Sequence, residues 1–277
     1  MLAAVDELAP GTDFAGLRIA GVAGRGSMAT VYRATDGEGR ELALKVLAAA
    51  LTADDEFRYR FEREARAVAA IRHPHIVRVY GGGAHHGRLY VTMRYVVGDD
   101  LARRLSAAPL AIGQAAELVS QVAAALDAAH ALGIVHRDVK PANVLLEGQP
   151  AHAYLTDFGL MKDIRSTTPM TIAGTFIGTC DYAAPEQLLG LPVDGRADVY
   201  ALGCMLYEML TGEVPFPRDS AAATMFAHVE LPPPTVAAAP AFDAVIARAM
   251  AKPAADRYAT AGELARAAVA AADGRLA

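Results

Sequence analysis

Along the first hundred residues, apolar and polar positions alternate in short runs, with the two-residue period of half-buried strands. Leu17, Ile19 and Val22, then Val31 and Tyr32, then Leu42–Val46 form such runs, broken by glycine. Asp36-Gly37-Glu38-Gly39 is a turn signal between two of them and predicts a hairpin. From residue 54 the period lengthens: Phe57, Phe61, Ala65 and Val68 recur at helical spacing. Asp54 and Asp55 suit the positive end of a helix dipole, and His73-Pro74 ends the pattern, so a helix is predicted over 54–71. Val77–Tyr80 and Leu89–Val96 return to the strand pattern, with Gly81-Gly82-Gly83 predicted as the turn between them.

After Gly98 the pattern is helical, with long alanine-rich helices predicted over 112–131 and 195–211 and shorter ones over 242–251 and 260–271. Pro232-Pro233-Pro234 reads as a loop, and no repeat of 20–50 residues is evident. The change of period divides the chain into 12–96 and 97–271, with tails at 1–11 and 272–277. The fold class expected is α+β.

Composition narrows the function classes. At 277 residues, 53% of them hydrophobic and 21% charged, the chain can bury a core and is not of disordered type. A net charge of −5 argues against a general nucleic-acid binder. Two cysteines, Cys180 and Cys204, make neither a disulfide framework nor a four-cysteine zinc site, and they fit a reducing compartment. The first residues lack the basic start of a signal peptide, and no apolar run of about 18 residues predicts a membrane span.

Three motifs carry chemistry. Gly21-Val-Ala-Gly24-Arg-Gly26-Ser-Met-Ala29-Thr-Val31 would let backbone amides approach phosphate oxygens. Gly24–Ala29 also fits the G-x-G-x-x-A dinucleotide fingerprint, but that must open a helix, and Thr30–Ala34 is strand-like. In Ala43-Leu44-Lys45-Val46 the lysine reads either as a solvent-facing strand residue or, with Glu64 on the following helix, as a shielded phosphate ligand. His136-Arg137-Asp138-Val139-Lys140-Pro141-Ala142-Asn143 is followed fourteen residues after Asn143 by Asp157-Phe158-Gly159. These short loops offer oxygen ligands for Mg²⁺ and one carboxylate to accept a proton.

Together with Gly178-Thr179-Cys180-Asp181-Tyr182-Ala183-Ala184-Pro185-Glu186, Asp198–Gly203 and Lys252–Arg257, these motifs occur in family order. The chain resembles the bacterial eukaryotic-like (Hanks-type) serine/threonine protein kinases over about residues 12–270. The resemblance implies a bilobal fold, a small antiparallel β lobe with one helix followed by a mainly helical lobe. It also implies transfer of the ATP γ-phosphate to Ser/Thr hydroxyls of protein substrates.

By that resemblance the catalytic residues are Asp138, which accepts the hydroxyl proton, Lys140, which stabilises the γ-phosphate, and Lys45, held by Glu64. Gly24, Gly26 and Val31 cover the phosphates. Ala43, Val31 and Leu145 pack on adenine, Met93 is the gatekeeper, and Arg94, Tyr95 and Val96 form the hinge. Asn143 and Asp157 bind the metal, Mg²⁺ or Mn²⁺. A lysine at 140 resembles the Ser/Thr rather than the tyrosine type. Glu186 with Arg257 resembles a buried ion pair, and Asp198 a buried aspartate that bonds the catalytic-loop backbone. Val68, Val79, His136 and Phe158 resemble a hydrophobic stack, which makes His136 a core histidine. Arg137 implies activation by phosphorylation, with Thr171 and Thr175 the preferred sites. A kinase dimer, and a cytoplasmic location, whether free or as the intracellular part of an anchored kinase, complete these expectations. Ala29 in place of a third glycine, and Arg94 where glutamate is usual, depart from the family pattern.

Overall fold

The structure, a computed structural model, describes residues 7–26, 28–49, 55–158 and 180–275. It contains two compact units, Met1–Arg72 with Val77–Val97, and His73–Ile76 with Gly98–Ala277.

Among the described residues, the first unit is an antiparallel sheet with one α-helix. Its strands are β1 (Asp13–Phe14), β2 (Leu17–Arg25), β3 (Ala29–Thr35), β4 (Glu41–Leu47), β5 (Val79–His85) and β6 (Arg88–Arg94), in the spatial order β1-β2-β3-β4-β6-β5. Alternation decides the faces. Tyr32, Ala34, Leu42, Leu44 and Val46 point into a core shared with Phe14, Leu17 and Ile19. Helix α1 (Asp55–Ala70) buries Phe57, Phe61, Ala65 and Val68, the stripe its period predicts. Asp54 lies outside the described residues.

The glycine run corrects one expectation. Gly81, Gly82 and Gly83 lie inside β5, and the turn falls at His86-Gly87, both at positive φ. Two consecutive left-handed residues make the tight turn that matches strand twist. Gly82 has a separate reason: a Cβ there would sit 2.7 Å from the Tyr90 carbonyl oxygen. Strand β6 also ends at Arg94, short of the predicted Val96.

The second unit holds α2 (Leu101–Leu105), α3 (Ile112–His130), α4 (Pro185–Leu188), α5 (Arg196–Thr211), α6 (Ala221–Glu230), α7 (Asp243–Ala249) and α8 (Ala261–Ala272). A small sheet of β7 (Asp99–Asp100), β8 (Val144–Glu147) and β9 (His152–Leu155) carries its loops. Every residue of α5 from Ala197 to Leu206 is buried. A helix buried on all sides belongs at the centre of a helical unit. Asp127 of α3 caps α8, accepting from the Ala261 and Gly262 amides at 2.9 and 3.0 Å. Among the described residues, no helix is long and apolar enough to cross a membrane.

Candidate active site

In the first unit, strand register gathers the predicted nucleotide-binding residues. Val31 pairs with Lys45, and Lys45 with Val91; Ala43 pairs with Met93, and Gly24 with Val31. Cross-strand partners share a face, so Val31, Ala43, Lys45 and Met93 line one side of the sheet. Helix α1 lies over that side, because the Cβ position of Gly82 is 3.5 Å from Ala65 Cβ and 3.4 Å from Val91 Cγ2. Glu64 precedes Ala65, at the edge of the buried stripe, and both Glu64 and Lys45 are partly buried. The glycine motif joins β2 to β3, a strand–turn–strand arrangement closed by Gly26 N–H to the Ala29 carbonyl at 2.9 Å. No helix opens there, which excludes the dinucleotide alternative. The Arg94 N–H donates to the Arg78 carbonyl at 2.8 Å and is thereby committed within the unit.

In the second unit, the loop after α3 is anchored on one buried carboxylate of α5. Asp198 Oδ2 accepts the His136 N–H at 2.8 Å and Oδ1 the Arg137 N–H at 2.7 Å. Arg137 sits at φ 63°, a conformation uncommon outside glycine. Its carbonyl also accepts from Gln187 Nε2 at 3.0 Å. The strained residue is therefore held from both sides of its peptide.

His136 is fully buried and its ring is a strut. Nε2 bonds the Thr156 carbonyl at 2.9 Å, and Nδ1 accepts the Asp138 N–H at 3.2 Å. That pair of contacts requires the tautomer protonated on Nε2. Burial holds the imidazole below its ordinary range, against the pull of the Asp198 carboxylate, and so neutral. Its ring lies 4.6 Å from that of Phe158, the half of the predicted stack that belongs to this unit.

Asp138 lies at the centre of the loop. Its Oδ2 is 2.9 Å from Lys140 Nζ and 3.0 Å from Asn143 Nδ2, which also donates to the Asp138 carbonyl at 2.7 Å. The Asn143 amide nitrogen is thus committed, which leaves its oxygen for a ligand. The Asn143 carbonyl accepts the Thr156 N–H at 3.0 Å, one residue before Asp157, itself left-handed at φ 59°. Leu145 sits on β8 opposite Tyr154, partly buried. Just ahead of these strands Gly98 is obligatory: a Cβ would lie 1.9 Å from the Leu146 carbonyl oxygen.

Glu186 and Arg257 form a buried bidentate pair at 2.6 and 2.8 Å. Several contributors were not evident in the sequence. His130 Nε2 joins Asp198 Oδ2 at 2.7 Å, and Gly195 makes room for that ring, since a Cβ would meet His130 Nδ1 at 2.7 Å. Tyr182 donates to Glu208 at 2.5 Å, and burial raises both groups above their ordinary ranges. The available signal was a lone histidine in the last turn of an apolar helix, where the dipole favours a cation. Cys180 and Cys204 are both buried. Thr171, Thr175, Gly159 and Thr179 lie outside the described residues.

A bilobal kinase pattern of this kind defines a class, and comparison with known proteins agrees. The family model described as "Protein kinase domain" matches residues 18–249. The chain belongs to the protein kinase family, in its serine/threonine branch. It is 45% identical over 276 residues to serine/threonine-protein kinase PknJ of Mycobacterium tuberculosis, covering 96% of this chain and 47% of that protein. Against PknE of the same species it is 44% identical over 268 residues, covering 94% and 47%. The chain therefore spans just under half the length of these relatives. The crystal structure of the M. tuberculosis PknI kinase domain superposes with a TM-score of 0.79 at 36% identity, covering 96% of this chain and all of that one. Rad53 in complex with AMP-PNP matches at TM-score 0.71 and 26% identity, covering 91% of this chain and 64% of that one. As a member of this family the chain uses ATP and a divalent metal.

Proposed function

We propose that this domain transfers the γ-phosphate of ATP to Ser/Thr hydroxyls of protein substrates, with Asp138 as the proton acceptor. The observation that carries it is the Asp138 carboxylate, fixed between Lys140 at 2.9 Å and Asn143 at 3.0 Å on a loop whose backbone Asp198 anchors. The substrate O–H proton passes to Asp138 as the new O–P bond forms, and the bond from the γ-phosphorus to the β–γ bridging oxygen breaks, releasing ADP. Lys140 offsets charge developing on the γ-phosphoryl oxygens.

Lys45, positioned by Glu64, holds the α- and β-phosphates, and Gly24, Gly26 and Val31 cover them. Ala43, Met93 and Leu145 contact adenine, and the backbone of Arg94, Tyr95 and Val96 hydrogen-bonds its edge. Asn143 and Asp157 bring one amide oxygen and one carboxylate, hard donors that suit Mg²⁺ or Mn²⁺. When bound, the metal supplies charge neutralisation on the phosphate oxygens. Phosphorylation at Thr171 or Thr175 gives Arg137 an anionic partner and so raises activity. The ATP requirement, and a cysteine count too small for a disulfide framework, support a cytoplasmic setting.

The test is intact mass before and after Mg²⁺-ATP, beside Asp138→Asn. Gains of about 80 Da per phosphate, absent in the variant, are expected. ATP binding without mass gain in phosphatase-treated protein, and no phosphate transferred to a generic protein substrate after an active relative has phosphorylated the chain and been removed, would overturn the reading.

A further inference from the structure

We propose that Arg78 is a positioning residue for Glu64, acting through the last turn of α1; the inference rests on the role given to Glu64 above. A helix leaves its last carbonyls without intrahelical partners. The last turn of α1 carries no basic side chain. The chain leaves through His73-Pro74 rather than through a glycine that would close a Schellman turn.

Arg78 supplies the missing donor. Its Nη1 donates to the Ala69 carbonyl at 3.2 Å and to the Ile71 carbonyl at 3.1 Å. A guanidinium at this end also opposes the negative pole of the helix. The arginine is itself fixed, because its carbonyl accepts the Arg94 N–H at 2.8 Å. Arg94 follows Met93, which pairs with Ala43 on the strand that carries Lys45. One residue thus ties the end of the Glu64 helix to the Lys45 sheet.

The distance is short enough for this tie to matter. Ala69 is five residues from Glu64, about 7.5 Å along a helix axis. No glycine or proline lies in α1 to absorb a shift. A slide or rotation of the last turn is passed along the helix to the Glu64 carboxylate. Gly82 and Ala65 add to the coupling, since two small residues let helix and sheet touch directly.

The test is a double-mutant cycle on the protein activated by its own phosphorylation. Arg78→Met keeps the aliphatic stem and removes both donors. At saturating ATP its kcat is expected to fall about tenfold, the scale of a lost charge-assisted pair, with KM for a peptide substrate unchanged within about twofold. Arg78→Lys, whose ammonium can still donate to both carbonyls, recovers most of the loss. In a Glu64→Gln background, Arg78→Met adds less than about twofold, because the residue it positions is already gone. Should Arg78→Met melt below the assay temperature, Arg78→Gln, with two neutral donors, carries the same cycle. Independent, multiplying losses, or a wild-type kcat in Arg78→Met while Glu64→Gln is impaired, overturn the proposal alone. A wild-type kcat in Glu64→Gln overturns the reading of Glu64 itself, and the proposal with it.

Discussion

Asp198 Oδ1 accepts the backbone N–H of Arg137 at 2.7 Å, and Arg137 is the residue held left-handed at φ 63°. The two lie 61 positions apart in the chain. A carboxylate with 0% exposure fixes the backbone turn that presents Asp138, while His130 completes its coordination. The geometry of the proposed catalytic loop is thus set from the interior of the helical unit, by a carboxylate closed off from solvent.

That relationship predicts the outcome of Asp198→Asn. An amide presents one acceptor oxygen and one donor nitrogen, so it cannot accept from both His136 and Arg137. One buried N–H is left unpaired, at a cost of about 1–3 kcal/mol. The variant is expected to fold, to bind ATP with near wild-type Kd, and to lose about tenfold to hundredfold in kcat. Single-turnover kinetics beside nucleotide titration separate these effects; an unchanged kcat would show that Arg137 holds its conformation without Asp198.

Glu186 and Arg257 make a stability prediction of a different kind. The Arg257 side chain is 0% exposed, so removing only its partner leaves a guanidinium in the interior. Glu186→Gln is expected to cost about 3–5 kcal/mol, and the double change Glu186→Leu with Arg257→Met distinctly less. In a chain of this length that is a fall in Tm of roughly 10 °C for the single variant. Differential scanning calorimetry of both variants decides it; a double variant less stable than Glu186→Gln would mean that the Arg257 bonds to the Arg196, Ala251 and Lys252 carbonyls outweigh the pair.

How far the sequence carried is best seen at particular residues. Lys45, Asp138, Asn143 and Asp157 could be proposed because each lies in a short string of chemically restricted residues, and Glu64 because it sits beside the apolar stripe of a helix. The stripe of α1 was legible because Phe57, Phe61, Ala65 and Val68 keep a strict period. The turn at His86-Gly87 was not, because three glycines nearby gave a stronger local signal, although they lie within a strand, where Gly82 serves close packing. Helices α2, α4 and α6 were missed because each has too few turns for a helical period to stand out. His130 and Gln187 were invisible for another reason: each acts across more than 49 residues, on Asp198 and Arg137, and no spacing rule encodes a partner so distant.

Asn143 predicts a metal-linked phenotype. Its amide nitrogen donates to the carboxylate and carbonyl of Asp138, at 3.0 and 2.7 Å, while its oxygen is a candidate metal ligand. Asn143→Ala removes both functions. The expected result is a kcat lower by at least about a hundredfold and a Mg²⁺ activation curve moved to higher concentration. EDTA abolishes the activity of the wild type, and Mg²⁺ or Mn²⁺ restores it. An Mg²⁺ curve in the variant that overlays the wild type would assign Asn143 to the support of Asp138 alone.

His228 predicts how stability changes with acid. It is fully buried, its Nδ1 shares a hydrogen bond with Tyr200 at 2.9 Å, and Lys252 donates to its carbonyl at 2.7 Å. Burial, aided by the Lys252 charge, pushes its pKa down from 6.5 to about 4. At pH 7 and above, the imidazole is neutral in both the folded and unfolded states, so it contributes no pH dependence. Below about 6.5 the unfolded chain takes up a proton that the folded protein refuses, and stability falls as pH drops toward 4. The loss approaches about 3 kcal/mol at the lower end, and buried His136, shifted in the same direction, adds to it. Half-buried Glu208 works in the opposite sense, because its raised pKa favours the protonated carboxyl in the folded state. Urea denaturation at pH 7.5 and 5.0 reads the balance. His228→Gln is expected to be less stable than wild type at pH 7.5 and to lose less on going to pH 5.0. An equal loss in the two proteins would show that the acid sensitivity arises elsewhere, with His136 the next residue to test.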